Sequence, residues 1–414
     1  MSKIKIKNFG PIKAGYQEND GWLDIKKVTV FIGNQGSGKS TVAKLISTFT
    51  WIEKVLVRGD YNTKWFDKKN KLKSLLRFHR LENFFSKNSE IEYQGYAYQI
   101  KYKNDFLIIN EIESYTYALP QIMYVPSERN FIANVKTPKA LKLTSDSLIE
   151  FVTEFDNVKE QMKGAMKLPI NNVSVEYDRL NDTVNIKGNT KGEEYKLKLT
   201  DASSGFHSLV PMYLVSWYLS NLVDSTDNSN TSSEELERFR KSAEEILNSK
   251  NLTEDQKRIS ISILASKFNK KAFINIVEEP EQNLFPSSQG EMLWSLLEFN
   301  KMLEGNNKLI MTTHSPYIIS YLTLAVKAHD VFIKLHINEV IKFTDKIIAI
   351  VPKKSFINPN DLVIYELDNS GNIIKLDDYN GLPSDNNYLN EGLALTNSLF
   401  AKLLEIEDLC LTTS

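Results

Sequence analysis

Cysteine is almost missing from this chain: 414 residues include one, Cys410, so no disulfide can form within it. A lone thiol fits a reducing compartment, and a cytoplasmic location is the expectation. Long apolar runs are missing too. No stretch of about 18 apolar residues occurs. The richest segments, such as Phe273 to Val277, have only strand length, so no membrane span is expected. The N-terminus, Ser2 to Asn8, alternates apolar and basic residues where a secretory signal needs a continuous apolar core. Charge of one sign is not in excess, since 51 basic residues face 52 acidic ones. That removes a global signature for nucleic acid and leaves DNA binding unsupported, although a local basic patch stays open. Internal repeats and sustained heptads are absent as well.

What remains is an ordinary globular composition, 42% hydrophobic and 25% charged, in a chain long enough for two or three domains or one large unit. Residues Lys3 to Lys7 and Val28 to Ile32 read as strands, the second running into a Gly-rich turn and a helix from Lys39 to about Ile52. Tyr61 to Phe85 is basic and aromatic with helical spacing. Short β runs follow from Ile91 to Ile112, then a strand at Gln121 to Val125 that ends in Pro126-Ser-Glu-Arg129. A helix near Ser147 to Met166 precedes antiparallel runs at Val173 to Tyr177, Thr183 to Lys187 and Tyr195 to Leu199. The Ser/Asp/Asn-rich stretch Asp224 to Ser233 is the clearest linker, leading to amphipathic helices at Ser233 to Ser249 and Thr253 to Phe268. Beyond it, strands at Phe273 to Val277 and Lys308 to Thr313 alternate with helices near Gln289 to Glu298 and Tyr317 to Ala325. A hairpin from Asp361 to Lys375 and a helix from about Asn386 to Glu407 close the chain. The alternation of strand and helix argues for a central α/β sheet.

The turn Gly33-Asn-Gln-Gly-Ser-Gly-Lys-Ser40 satisfies G-x-x-x-x-G-K-[ST], the pattern of a loop whose backbone N–H groups cradle phosphate oxygens. By chance it would arise in roughly one or two chains in a hundred of this length, so the flanking strand and helix decide in its favour. Asn34, Gln35, Gly36, Ser37, Gly38, Lys39, Ser40 and Thr41 are the expected nucleotide contacts. Lys39 would neutralise the β and γ phosphates, Ser40 would ligate Mg²⁺, and the helix start adds its positive dipole end.

A second constellation follows the strand Phe273 to Val277, which delivers Glu278 and Glu279 to a sheet end, where α/β proteins hold ligands. Adjacent strand residues point oppositely, so the pair can divide labour. Glu278 is the candidate magnesium ligand and Glu279 the candidate general base for water. The bland alternative, a solvated acidic turn, loses ground once the phosphate loop is present. His314, alone among five histidines in following such a strand, would emerge at the same edge and help position water.

In order, Gly33 to Ser40, Ser203-Ser-Gly205, Val277 to Pro286 and Thr312-Thr-His-Ser-Pro316 resemble the ATPase core of the ABC class. The soluble branch that holds SMC-like repair ATPases and OLD-type phage-defence ATPases is the most similar, and Ile6 to Ile12 resembles the segment that branch keeps near the base. The resemblance implies an α/β fold, an ABC-type ATPase core whose mixed sheet carries the phosphate loop and flanking helices. An antiparallel β lobe and an inserted helical hairpin would complete it. ATP with Mg²⁺ is the implied cofactor pair. It further implies head-to-tail self-association, in which Ser203, Ser204 and Gly205 of one subunit close over nucleotide held by another. Taken alone, Ser-Ser-Gly is a weak loop signal.

Departures narrow the branch. Glu278 stands where many relatives have Asp, as in OLD-like proteins, and Leu284-Phe285 replaces the Leu-Asp of transporter ATPases. The glutamine that links magnesium to a coupling domain is left open among Gln94, Gln99 and Gln121. About 70 residues separate the signature from the acidic strand, room for the inserted helices as a partner surface. The expected division is residues 1–223 and 271–345 as the two parts of the core, 224–270 as the insertion and 346–414 as the C-terminal hairpin and helix. Only about 100 residues follow His314, with no Asp-x-Asp pair of an OLD-type nuclease, so any nuclease must be another protein. ATPase subunits of two-gene bacterial defence systems fit this pattern. They imply an oligomer that holds a separate toprim-type effector until a phage trigger releases it. A DNA-repair ATPase, for which the segment before the signature lacks a coiled coil, and an ATP-binding scaffold with little hydrolysis are the rivals.

Overall fold

The computed structural model describes residues 1–113, 117–135, 143–192, 194–224, 233–249, 257, 260, 264, 270–300, 305–337 and 341–412. In the first half the strands are β1 (Ser2–Phe9), β2 (Gly15–Tyr16), β3 (Leu23–Ile25), β4 (Val28–Gly33), β5 (Phe85–Gln94), β6 (Tyr98–Lys103), β7 (Phe106–Glu111) and β8 (Pro120–Val125). There follow β9 (Met166–Lys167), β10 (Val173–Asp178), β11 (Thr183–Gly188), β12 (Tyr195–Lys198), β13 (Ala272–Glu278), β14 (Lys308–Thr312), β15 (Leu362–Leu367) and β16 (Asn372–Lys375). The longer helices are α1 (Lys39–Arg58), α2 (Asp146–Gln161), α3 (Ser204–Asp224), α4 (Ser233–Leu247), α5 (Pro286–Phe299), α6 (Pro316–Ile337) and α7 (Tyr388–Thr412).

A seven-stranded mixed sheet, in the order β2-β16-β15-β4-β14-β13-β8, forms the centre. From β15 to β8 all neighbours are parallel, which suits strands such as Val28–Gly33 and Ala272–Glu278 that are buried on both faces. Alternation along β4 divides the core: Phe31 joins α1 and the five-stranded antiparallel sheet β3-β1-β5-β6-β7 on one side. Val30 and Ile32 join α3, α5 and α6 on the other, together with Val173, Val175 and Ile186 of the four-stranded antiparallel sheet β12-β11-β10-β9. The structure is thus the expected α/β architecture with an antiparallel lobe. Of the expected helical pair, α4 is observed, while Thr253 to Phe268 falls almost wholly outside the described residues.

Several elements differ from the sequence reading, among them α3, which it did not identify as a helix. Helix α1 continues past Ile52 to Arg58 because Glu53, Val55 and Leu56 are still buried, and it stops where Gly59 takes the left-handed conformation. Helix α6 runs to Ile337, twelve residues past Ala325. The stretch Tyr61 to Phe85 is broken into the turns Thr63–Phe66, Lys71–Leu76 and Arg77–His79, since Asn70 and Arg80 adopt positive φ. The C-terminal hairpin proves to be part of the central sheet, with β15 pairing in parallel beside β4 from Leu362↔Val28 to Leu367↔Gly33.

Candidate nucleotide-binding site

Strand β4 ends in Gly33, and the following turn leads into α1 through Gly38, whose φ of 109° only glycine adopts easily. A Cβ on Gly33 would lie 2.2 Å from the Leu367 carbonyl oxygen, so the β15 edge holds the loop shut from behind. On Gly38 it would press on Ile12 and Pro11 at 3.1 Å, which sets the Ile6 to Ile12 segment against the loop. The α1 start carries no side-chain cap, leaving its first N–H groups to seek an acceptor. Lys39 folds back, donating from Nζ to the carbonyls of Gly33 at 2.9 Å and Asn34 at 2.8 Å. Burial pulls its ammonium down to about 8, against the upward pull of Glu279, Glu281 and Glu278.

Strand β14 lies next to β4 and β13 next to β14, all parallel, so their carboxyl ends bring His314, Glu278 and Glu279 to the same sheet edge as the loop. Glu278 is 2% exposed; its Oε2 accepts from the Ser127 N–H at 3.1 Å, and its Oε1 faces Lys44 Nζ at 3.9 Å without a hydrogen bond. Glu279 takes φ +46°, a left-handed conformation costly for this side chain, with its N–H donated to the Thr312 carbonyl at 2.9 Å. That turn aims Glu279 Oε1 at His314 Nε2, 3.5 Å away. The imidazole holds the Glu279 carboxyl below its usual range, which keeps it ionised and able to accept a proton. Glu281 Oε1 accepts the His314 backbone N–H at 2.7 Å, fixing the residue that carries the imidazole; burial raises this carboxyl.

Arg129 went unnoticed in the sequence. It is fully buried and donates to four backbone carbonyls: Nη1 to Pro126 at 3.2 Å and Glu278 at 2.6 Å, Nη2 to Glu279 at 2.6 Å, and Nε to Ser208 at 3.0 Å. One guanidinium therefore ties the turn after β8 and both glutamates to the first helical turn of α3. Burial lowers it to about 10. An arginine just after an apolar strand was the available signal, but its acceptors are distant backbone atoms that no motif records.

The signature residues lie at the head of α3, against the turn that follows Glu279. Ser203 and Ser204 are exposed, and Gly205 lies over the Asn283 carbonyl, where a Cβ would come within 2.9 Å. Ser208 joins them to the acidic turn, its Oγ donating to Gln282 Oε1 at 3.4 Å and accepting from Asn283 Nδ2 at 3.1 Å. Of the glutamines left open, Gln94 ends β5, Gln99 lies on β6 and Gln121 stands near the start of β8. The place beside Glu278 at the carboxyl end of β8 belongs to Ser127 and Glu128, the latter paired with Arg80.

The residues fit a triphosphate with a divalent cation. Besides the uncapped helix start, Ser37 Oγ, Glu278 Oε1 and Thr312 Oγ1 are buried and lack hydrogen-bond partners. Among the described residues no preformed group of three His, Cys, Asp or Glu side chains could hold a metal alone, so a cation here would rely on Ser40, Glu278 and the phosphates themselves.

No family model matches the chain, and no curated protein matches it. Solved structures do. An SMC head domain from Thermotoga maritima is 12% identical over 77% of this chain and 90% of its own, with a TM-score of 0.34. An Smc head with an extended coiled coil, bound to the C-terminal domain of ScpA and derived from Pyrococcus furiosus, is 11% identical over 96% of this chain and all of its own, at 0.36. An ATP-binding cassette in a post-hydrolysis dimer with ADP and Pi is 11% identical over 92% of this chain and all of its own, at 0.29. No helix among the described residues is long and apolar enough to cross a membrane.

Proposed function

We propose that the chain is an ABC-class ATPase that hydrolyses ATP in composite sites between subunits. The observation that carries this reading is the Glu279–His314 pair, 3.5 Å apart at the ends of β13 and β14, beside the strand that feeds the phosphate loop. Backbone N–H groups of Asn34 to Thr41 and the Lys39 ammonium would hold the phosphates, while Ser40 and Glu278 would hold Mg²⁺. The cation, when bound, supplies charge neutralisation on the β and γ oxygens. Glu279, kept ionised by His314, takes the proton of the attacking water, and His314 orients that water at the γ phosphate. Ser203 to Gly205 reach the γ phosphate of a neighbour's nucleotide; the exposure of Ser203 and Ser204 supports an intermolecular role.

At the finer level, the motif order supports an ATPase subunit of a bacterial anti-phage system, resembling the AriA subunit of PARIS. Such a subunit controls a separately encoded toprim-type nuclease in response to a phage trigger. A DNA-binding, SMC-like role has one observation in its favour: Lys64, Lys68, Lys69, Lys73 and Arg77 are all exposed on one segment after α1.

Two variants test the roles. Lys39→Ala should abolish ATP binding, whereas Glu279→Gln should bind ATP normally and lose at least about a hundredfold in turnover. If both lose binding equally, the division of roles is wrong. Turnover that appears only with added duplex DNA would favour the SMC-like reading, and co-purification with a toprim protein encoded next door would favour defence.

A further inference from the structure

Among the described residues, helix α7 is anchored at its start. The Tyr388 N–H donates to Glu366 Oε1 at 2.6 Å, and from Glu391 to Glu407 every described residue is exposed. A helix this free in water has little to hold it, because helices in proteins draw most of their stability from a packed face. Yet it carries such a face. Leu395, Leu399 and Leu403 recur every fourth residue and are 60%, 51% and 63% exposed, with Phe400 and Leu404 beside them. A contiguous apolar stripe of this size marks an interaction surface.

A second unpartnered surface lies at the far end of α6 and the turns after it, where Ile337, Phe343, Ile348 and Ile350 are exposed. Its rim is basic on balance: Lys342 and Lys346 flank the Phe343 ring at 5.2 and 5.3 Å from its centroid, with Asp345 exposed between them in the chain. The charged residues of α7 between Glu391 and Glu407 are Glu391, Lys402, Glu405 and Glu407, a net acidic set. Two α7 helices paired with each other would bring acid to acid, whereas α7 on the lysine-rimmed surface brings acid to base.

We propose that α7 is an exchanged arm that seats its leucine stripe on the α6-end surface of a second copy of this chain. Exchange of both arms about a two-fold axis closes the contact and leaves neither surface bare. This contact does not depend on nucleotide, and so it is separable from the ATPase reading above.

The test is light scattering on the full chain, nucleotide-free and carrying Lys39→Ala to remove any ATP-driven pairing. A dimer is expected. Its dissociation constant should rise at least about tenfold in Leu399→Glu/Leu403→Glu, and by a similar factor in Lys342→Glu/Lys346→Glu. Adding Glu405→Lys/Glu407→Lys to the latter should restore affinity to within about threefold, an outcome that a folding defect cannot imitate. A monomer at the highest concentration reached, or a dimer indifferent to the leucine changes, overturns the proposal. So does failure of the charge exchange to rescue, since the arm would then seat elsewhere.

Discussion

His79 is 1% exposed and neither ring nitrogen has a hydrogen-bond partner; it is packed edge-on against Phe78 and Tyr124 with ring centroids 4.7 and 4.6 Å away. Burial, with Lys44 adding to it, lowers the imidazole from 6.5 to about 3. The folded state therefore keeps it neutral while the unfolded chain protonates below 6.5, so its stabilising contribution is complete above 6.5 and drains away toward pH 3. At pH 5 the loss from this one group is about 2 kcal/mol. Replacing it by Phe should shrink the difference in unfolding free energy between pH 7 and pH 5 by that amount, read from urea titrations at both values. Arg129 sets the opposite problem, a charge that must stay. Arg129→Met strands the carbonyls of Glu278, Glu279 and Ser208, and a cost of about 3 kcal/mol is expected in denaturant unfolding. Because it positions Glu279 without touching substrate, turnover should fall well below wild type while ATP affinity changes less than about threefold. A matching loss of affinity would place it in the binding site instead. The glycine-rich loop and the acidic end of β13 were legible because their pattern is written in adjacent residues. Arg129 was not, because its partner Glu279 lies 150 residues along the chain and is engaged only through a backbone carbonyl.

Elements were legible to the degree that their cause is local. The strand, loop and helix around Gly33 to Ser40 follow from period, glycine placement and an uncapped start, all within one stretch. The β15–β16 hairpin was equally readable as a hairpin, from its turn at Asn369 to Asn372, but periodicity says nothing about which distant strand it will join. Its pairing with β4 is a tertiary fact, and it makes β15 the back wall of the phosphate loop. Two glycine variants separate wall from cradle. At Gly33 an added Cβ would meet the Leu367 carbonyl at 2.2 Å, so Gly33→Ala should destabilise the fold by about 2–3 kcal/mol as β4 and β15 are forced apart. Gly36 has φ +76° and nothing within 4 Å of its Cβ position, so Gly36→Ala should cost only about 1 kcal/mol of strain. Its effect should instead appear in ATP binding. Thermal unfolding and nucleotide titration of both proteins would distinguish them, and equal melting losses would remove the wall from the account. The broken segment after α1 shows the converse limit: helical spacing persists across Tyr61 to Phe85, but two left-handed residues cut it.

At the scale of the whole molecule, the Glu279–His314 pair and the Ser203 to Gly205 segment belong to one chain, and the proposed function gives them different tasks. Glu279 and His314 meet beside the phosphate loop, while Ser203 and Ser204 lie exposed at the head of α3, which Ser208 ties to the acidic turn. If the site is shared, damage to the loop in one subunit and to the signature in another should complement. Ser203→Arg is the suitable signature change, because Ser203 is exposed and can carry bulk, whereas Gly205 already lies 2.9 Å by its Cβ position from the Asn283 carbonyl. Alone, Lys39→Ala and Ser203→Arg should each be inactive. Mixed in equal amounts, half of randomly formed pairs combine one of each, and in those pairs one of the two sites unites an intact loop with an intact signature. Activity should return to roughly a quarter of wild type, provided subunits exchange. No recovery after demonstrated exchange would mean that each chain completes its own site, and the exposed Ser203 and Ser204 would then serve some other contact.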